Sequence, residues 1–390
     1  LAGLGGCIHC HTAQGGEAMA GGRAIATPFG AIYATNVTPD EATGIGTWSY
    51  AAFERAMREG VGRDGRHLFP AFPYTSFVRT SEADLQALYA YFMAQPPVSA
   101  VNRPANLRVP FAFRPLMAAW NTMFHQAKPF EARPDRDAQW NRGAYLVEAL
   151  GHCSACHSPR NALGAELKGA DHLAGGEVDG WFAPPLNGSS PAPIAWTEQA
   201  YFDYLRSGFA AEHGAAGGPM APIVAGLKPL PDSDIRAMAR YLVSLAPAPA
   251  AADPDLKTRL EQAAKTRASN PVNFAGARTY EGACAVCHEP GQGLEMFGVK
   301  PSLALNSAIH AEEPDTVLRV ILDGARPEGL AELGAMPAFR HHLDDSQIAD
   351  LVSHLRARFA PDKPPWAGLR EASDRLRTET LTASADAMFH

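Results

Sequence analysis

Six cysteines in a chain of 390 residues all fall into one short pattern, which occurs three times. The copies read CIHCH from Cys7, CSACH from Cys153 and CAVCH from Cys284: two cysteines flank two residues and a histidine follows at once. No cysteine is left for a disulfide or an iron–sulfur cluster. A structural zinc site needs four ligands, typically two such pairs on one metal. A thioredoxin-like redox pair needs a strand–helix–strand setting. Three isolated units, each in its own helical repeat, suit neither. They suit covalent attachment of haem, in which the two thiols add to the two vinyl groups and the next histidine lies under the iron. The predicted cofactors are therefore three covalently bound haem c. The attachment residues are Cys7, Cys10, Cys153, Cys156, Cys284 and Cys287, and the proximal ligands are His11, His157 and His288. His9, inside the first motif, reads as a spacer and not a ligand.

The motif heads a repeat of about a hundred residues, the length expected of one small domain. Apolar residues at helical spacing lead into the second and third motifs: Tyr145, Leu146 and Ala149, then Phe274, Ala277 and Tyr280. Each copy closes on an amphipathic helix, SEADLQALYAYFMAQPP, DSDIRAMARYLVSLAP and DDSQIADLVSHLRARFAP. Ser81 with Asp84 and Asp344 with Gln347 have capping-box spacing, and Asp232 or Ser233 can cap the middle helix. Pro96, Pro247 and Pro361 stop the three. The middles also match, Trp48 with Trp196 and Asn36 with Asn187 and Asn306.

These repeats set the expected boundaries: a first domain over 1–100, a connector over 101–138, a second domain over 139–246, a linker over 247–270 containing APAPAAADPD, a third domain over 271–360 and a polar tail over 361–390. The tail reads as a strap on a partner or on the chain's own domains. The expected class is all-α, with long loops, since 35 Gly and 32 Pro favour short elements. A net charge of −7 argues against a nucleic-acid surface. No run of about 18 apolar residues exists, so no membrane span is expected. The stretch before Cys7 is much shorter than the lead-in to Cys153, so the chain reads as starting partway through a helix, with a leader or anchor expected upstream, in the tail or in a partner.

A haem of this type usually takes a sixth ligand from a methionine on a later loop. GGPMAPIV offers Met220 to the second haem and GAMPAF offers Met336 to the third. The first copy reads HLFPAFPYTSF, and Phe72 falls opposite Met220. Phenylalanine cannot bind iron. Either another side chain reaches in or the first iron has five ligands. His67 on the same loop is the candidate substitute, its alternative being a hydrogen bond to a propionate or an exposed position. Met57 and Met93 sit in predicted helices and read as packing residues.

With these motifs and loops the chain resembles the tri-haem cytochrome c subunits of bacterial membrane-associated periplasmic dehydrogenases. The resemblance implies three class I cytochrome c domains in tandem. It also implies a role passing electrons from a catalytic subunit to ubiquinone, a terminal oxidase or another respiratory acceptor, at the periplasmic side of the membrane surface. RPLMAAWN, WNRGAYLVEALGHCSACHSPRNALGAE and HGAAGGPMAPIV are most similar to the cytochrome partners of molybdenum hydroxylases acting on aldehydes, isoquinoline or nicotinate. That branch implies a partner with a molybdenum cofactor and an iron–sulfur subunit. The alternative is a flavin or quinone subunit oxidising alcohols or sugars, whose cytochromes tend to carry methionine where PAFPY has Phe72. No P-loop, dinucleotide fingerprint, HExxH or GxSxG is present, so the chain is expected to have no catalytic site of its own. A multi-haem peroxidase using an open first iron is the remaining alternative.

Overall fold

The computed structural model of the chain describes residues 1–247, 253–289, 299–325 and 330–388, with side chains described as far as 379. The centre of the APAPAAADPD stretch lies outside these residues. Helix dominates, at 43%. The first copy contains α1 (Cys7–Cys10), strands β1 (Ala24–Thr27) and β2 (Gly30–Tyr33), then α2 (Tyr50–Glu59), α3 (Tyr74–Phe77) and α4 (Glu82–Met93). The connector supplies β3 (Asn106–Leu107) and α5 (Leu116–Phe124). The second copy holds α6 (Ala138–Glu148), α7 (Ser154–His157), β4 (Gly176–Val178), β5 (Trp181–Ala183), α8 (Glu198–Ser207), β6 (Phe209–Ala210), β7 (Gly214–Ala215), α9 (Met220–Leu227) and α10 (Asp232–Val243). After α11 (Leu256–Ala268) come α12 (Phe274–Ala283), α13 (Ala285–His288), α14 (Ser307–His310), α15 (Asp315–Asp323), α16 (Asp345–Phe359) and α17 (Leu369–Met388). The purely helical class expected from the sequence is thus modified by short antiparallel hairpins, β1-β2-β3, β4-β5 and β6-β7. The β4–β5 hairpin, for example, reverses at Asp179 and Gly180, both at positive φ.

Two compact units result. One comprises residues 1–155, 160–167 and 229–241; the other comprises 156–159, 168–228 and 242–390. The division falls inside the second copy.

In the first unit the connector is structural. Its β3 pairs with β2, Gly30 opposite Leu107, and its α5 inserts Met117 and Trp120 into a cluster with Phe69, Tyr74 and Ala165. The closing helix α4 is capped as its sequence predicts on one side only. Ser81 Oγ accepts from Asp84 N at 3.2 Å, but Asp84 does not return the bond. Tyr145 Oη takes the Ser81 N–H at 3.0 Å and donates to the Asp84 carboxylate. At Asp344 both halves of the capping box form. The lead-in helix α6 crosses α10 at Gly143, where a Cβ would lie 1.9 Å from the Ala237 carbonyl oxygen.

In the second unit the same crossing recurs. A Cβ on Gly276 of α12 would lie 2.1 Å from the Asp350 oxygen on α16. Within the expected linker, α11 packs on α16, and Arg358 Nε donates to the Ala264 carbonyl at 3.2 Å. The tail helix α17 lies on α15 and α16. Its half-exposed ion pair, Arg375 to Asp315 at 2.6 Å, is worth under about 1 kcal/mol. Leu376 and Leu369, buried against the α15–α16 core, contribute about 2 kcal/mol each. Apolar burial therefore holds the strap.

This unit also buries two neutral imidazoles. Burial pushes His213 and His354 down to about 4, and His213 stacks on Trp196 at 3.7 Å. Unfolded, both would titrate near 6.5. Their folded-state values lie lower, so stability is full above pH 6.5 and falls as pH drops toward 4, by up to about 1.4 kcal/mol per pH unit for each site. Thermal melts from pH 7 to 4.5 are expected to show this slope, and His354→Phe to reduce it.

Candidate haem-attachment sites

Each C-x-x-C-H motif carries a short helix. In the first, Gly6 enters at φ 58 and His11 N donates to Cys7 O at 2.9 Å. Cys7, Cys10 and His11 are then at i, i+3 and i+4, on one face of a single turn. The third repeats this, with Cys287 N and His288 N both donating to Cys284 O at 3.0 Å. In the second, α7 carries Cys156 and His157, and Cys153 immediately precedes it. One turn can so present two sulfurs and one imidazole to the same planar group, the geometry that thioether attachment with a histidine beneath the metal requires.

The imidazoles are set for coordination. His11 Nδ1 donates to Thr35 O at 2.6 Å and His157 Nδ1 donates to Pro184 O at 2.7 Å. A carbonyl only accepts, so the proton is on Nδ1 and the Nε2 lone pair is available to a metal. Burial lowers the pKa of both rings and opposes protonation, while the same carbonyls push the other way. His288 is also lowered by burial; its buried Nδ1 has no partner among the described residues.

No disulfide joins any of the six cysteines. Burial pushes Cys7 up to about 12 and Cys284 to about 11, with Cys10 and Cys287 respectively adding to the rise. Among the described residues no three His, Cys, Asp or Glu side chains gather as a metal cluster. The residues present fit haem. His9 lies beside Arg23, with Nη1 3.0 Å from its Nε2.

The three matched asparagines share one local geometry. Asn36 Oδ1 accepts from Thr38 N at 2.9 Å, Asn187 Oδ1 from Ser189 N at 3.0 Å and Asn306 Oδ1 from Ala308 N at 3.0 Å. Each is an Asx turn. In the first two copies it follows the segment whose carbonyl holds the proximal histidine. Those carbonyls, Thr35 and Pro184, leave no mark of their own in sequence, because backbone oxygens carry no side-chain signal.

Met220 begins α9, half-buried against Ala216, Ala221, Val224, Leu330 and Leu333. Met336 packs on the α12–α16 core, and its backbone pairs with Ala325. The first copy places Phe72 in the frame of Met220. Leu68 N donates to Gly60 O at 2.7 Å and Phe72 N to Phe69 O at 3.0 Å; Ala216 N donates to Gly208 O at 2.7 Å and Met220 N to Gly217 O at 3.1 Å. His67 lies earlier on that loop, its backbone bridged to Val61 and its carbonyl accepting from Arg114 Nη1 at 2.7 Å.

Residues 140–246 match the family described as Cytochrome c, and residues 274–355 match Cytochrome C oxidase, cbb3-type, subunit III. The gluconate 2-dehydrogenase cytochrome c subunit of Pantoea cypripedii is 36% identical over 98% of this chain and 89% of its own length. The chain belongs to the family of dehydrogenase cytochrome c subunits. Within that family, the cytochrome c subunit of the quinone alcohol dehydrogenase of Gluconacetobacter polyoxogenes is 37% identical over 93% of this chain and 80% of its own. A nicotinate dehydrogenase subunit of Pseudomonas putida is 53% identical over 97% of this chain. The chain spans about a third (31%) of that longer protein. Cytochrome c domains carry covalently attached haem, and among the described residues no helix is long and apolar enough to cross a membrane.

Proposed function

We propose that the chain binds three haem c groups and conducts electrons from a catalytic dehydrogenase subunit toward ubiquinone or another respiratory acceptor, at the periplasmic face of a membrane. The observation that carries this reading is the threefold recurrence of one built site: a Cys-x-x-Cys-His turn, with the ring Nδ1 of the histidine tied to a carbonyl in two copies. Cys7, Cys10, Cys153, Cys156, Cys284 and Cys287 form the thioethers. His11, His157 and His288 would hold the three irons, with Met220 and Met336 as the further ligands of the second and third. Haem, when bound, supplies one-electron oxidation and reduction. The chain's own residues fix ligand orientation, keep the proximal rings neutral and close two irons to substrate. No site for a substrate of its own is needed.

For the partner, the molybdenum-hydroxylase branch is favoured. Identity is 53% to the nicotinate dehydrogenase chain against 36% and 37% to the gluconate and alcohol dehydrogenase cytochromes. An aromatic N-heterocycle or an aldehyde is then the substrate class, with an iron–sulfur protein linking molybdenum to haem. Elemental analysis of the native complex tests this. Stoichiometric molybdenum, with iron beyond the haems, supports the reading. A complex with flavin or quinone and no molybdenum overturns it in favour of alcohol or sugar oxidation.

A further inference from the structure

The geometry points to an open coordination position on the first haem, a binding site for small neutral ligands such as carbon monoxide or nitric oxide on the side covered by Phe72. The inference rests on the tri-haem reading above and concerns the copy that departs from the other two.

Phe72 does not merely align with Met220; it occupies the same hydrogen-bonded frame. In both loops an N–H four residues upstream reaches back to the carbonyl of the glycine that ends the preceding helix. The residue itself closes a tight turn to the carbonyl three residues before it. The slot that supplies sulfur in the second copy therefore supplies a benzyl group in the first. That ring packs edge-on against Phe77 at 5.4 Å and tilted against Tyr74 at 6.5 Å, beside the Phe69–Tyr74–Met117–Trp120 cluster. It has no lone pair to offer iron.

His67, the nearest substitute in sequence, is turned to another task. Its Nδ1 lies 3.4 Å from Asn121 Nδ2. The Asn121 amide can face only one way, because Tyr74 Oη donates to its Oδ1 at 2.5 Å and its Nδ2 donates to the Glu59 carbonyl at 3.2 Å. Asn121 thus presents an N–H to Nδ1, which favours the His67 tautomer with its proton on Nε2. This is the reverse of His11 and His157, whose protons sit on Nδ1 and whose Nε2 atoms are free. Ligation through Nε2 would move the His67 proton to Nδ1, against the asparagine N–H. The Asn121 contact therefore favours the tautomer that does not coordinate through Nε2.

Three other sulfurs, those of Met19, Met57 and Met117, are buried in this unit's core. Met57 is buried in α2 and Met117 in α5. The α5 position is fixed by Trp120 Nε1 donating to Leu163 O at 2.9 Å. A site walled by phenylalanines selects neutral diatomic ligands over anions, since a buried charge without a partner is costly.

The test uses the full-length holoprotein, with covalent haem counted first. A count below three fails the tri-haem reading; three haems with a negative result below fail this inference alone. The reduced protein is titrated with carbon monoxide and the oxidised protein is examined by electron paramagnetic resonance. The expected result is about one carbon monoxide per chain and one high-spin haem in about three. Phe72→Met is expected to abolish both signals, and His67→Ala and Met117→Leu to leave them as in the parent. Absence of carbon monoxide binding in the parent overturns the inference, as does binding that persists in Phe72→Met. So does a high-spin signal that appears only in His67→Ala or Met117→Leu, which would identify that residue as the ligand.

Discussion

Met220→Leu is expected to convert about one haem in three from low to high spin and to lower electron delivery to quinone by the assembled complex. The substitution is chosen because it separates ligation from packing. Met220 is half-buried among Ala216, Ala221, Val224, Leu330 and Leu333, and a Met-to-Leu exchange of similar volume in such a setting costs less than about 1.5 kcal/mol. The fold should survive, so the spectral change reports the lost sulfur. Optical and paramagnetic resonance spectra of the oxidised protein check it. An unchanged spectrum would mean that Met220 packs against the haem without binding iron. Met336→Leu should act in the same way on the third haem.

The largest effect on stability is expected at the two glycines where lead-in and closing helices cross. A methyl group on Gly276 would meet the Asp350 carbonyl oxygen at 2.1 Å and His354 Cβ at 2.7 Å; one on Gly143 would meet the Ala237 oxygen at 1.9 Å. The two carbonyls are backbone atoms inside helices and cannot rotate away, so the helices must separate. Gly276→Ala is expected to cost ~3 kcal/mol, and Gly276→Val more. The loss exceeds that expected of a surface ion pair such as Arg375–Asp315, because separation also opens the contact of Tyr280, Leu351, Val352 and Leu355 in the core beneath. Thermal unfolding of the Gly143→Ala and Gly276→Ala proteins, compared with an exposed control such as Gly282→Ala, where a Cβ would meet nothing, measures it. A shift no larger than the control's would show that the crossings are looser than the structure has them.

Some of this was legible in the sequence because it is written in side chains of fixed chemistry. The Cys-x-x-Cys-His turns, the Asp344–Gln347 capping box and the three asparagine turns each depend on one residue type at one spacing. Phe72 was legible as a departure for the same reason. Other features rest on backbone atoms or distant partners. The carbonyls of Thr35 and Pro184 orient the proximal rings but could be contributed by any residue type. Tyr145, read from periodicity as a core residue, also completes the cap at Ser81, a partnership that spacing cannot reveal across domains. Asn121, which faces His67, comes from the stretch read as a connector; β3 and α5 show that this stretch is part of the first unit. The tail reads as polar and helical at best, yet Leu369 and Leu376 suffice to seat it on α15 and α16.

The central claim is that one chain holds three covalent haems, one at each motif. The direct measurement is iron and covalently bound haem per chain in protein matured under conditions that permit haem attachment, by elemental analysis and the alkaline pyridine spectrum. Three irons and three haems with both vinyl groups saturated are predicted. Fewer than three haems, or zinc at any of the motifs, would contradict the account.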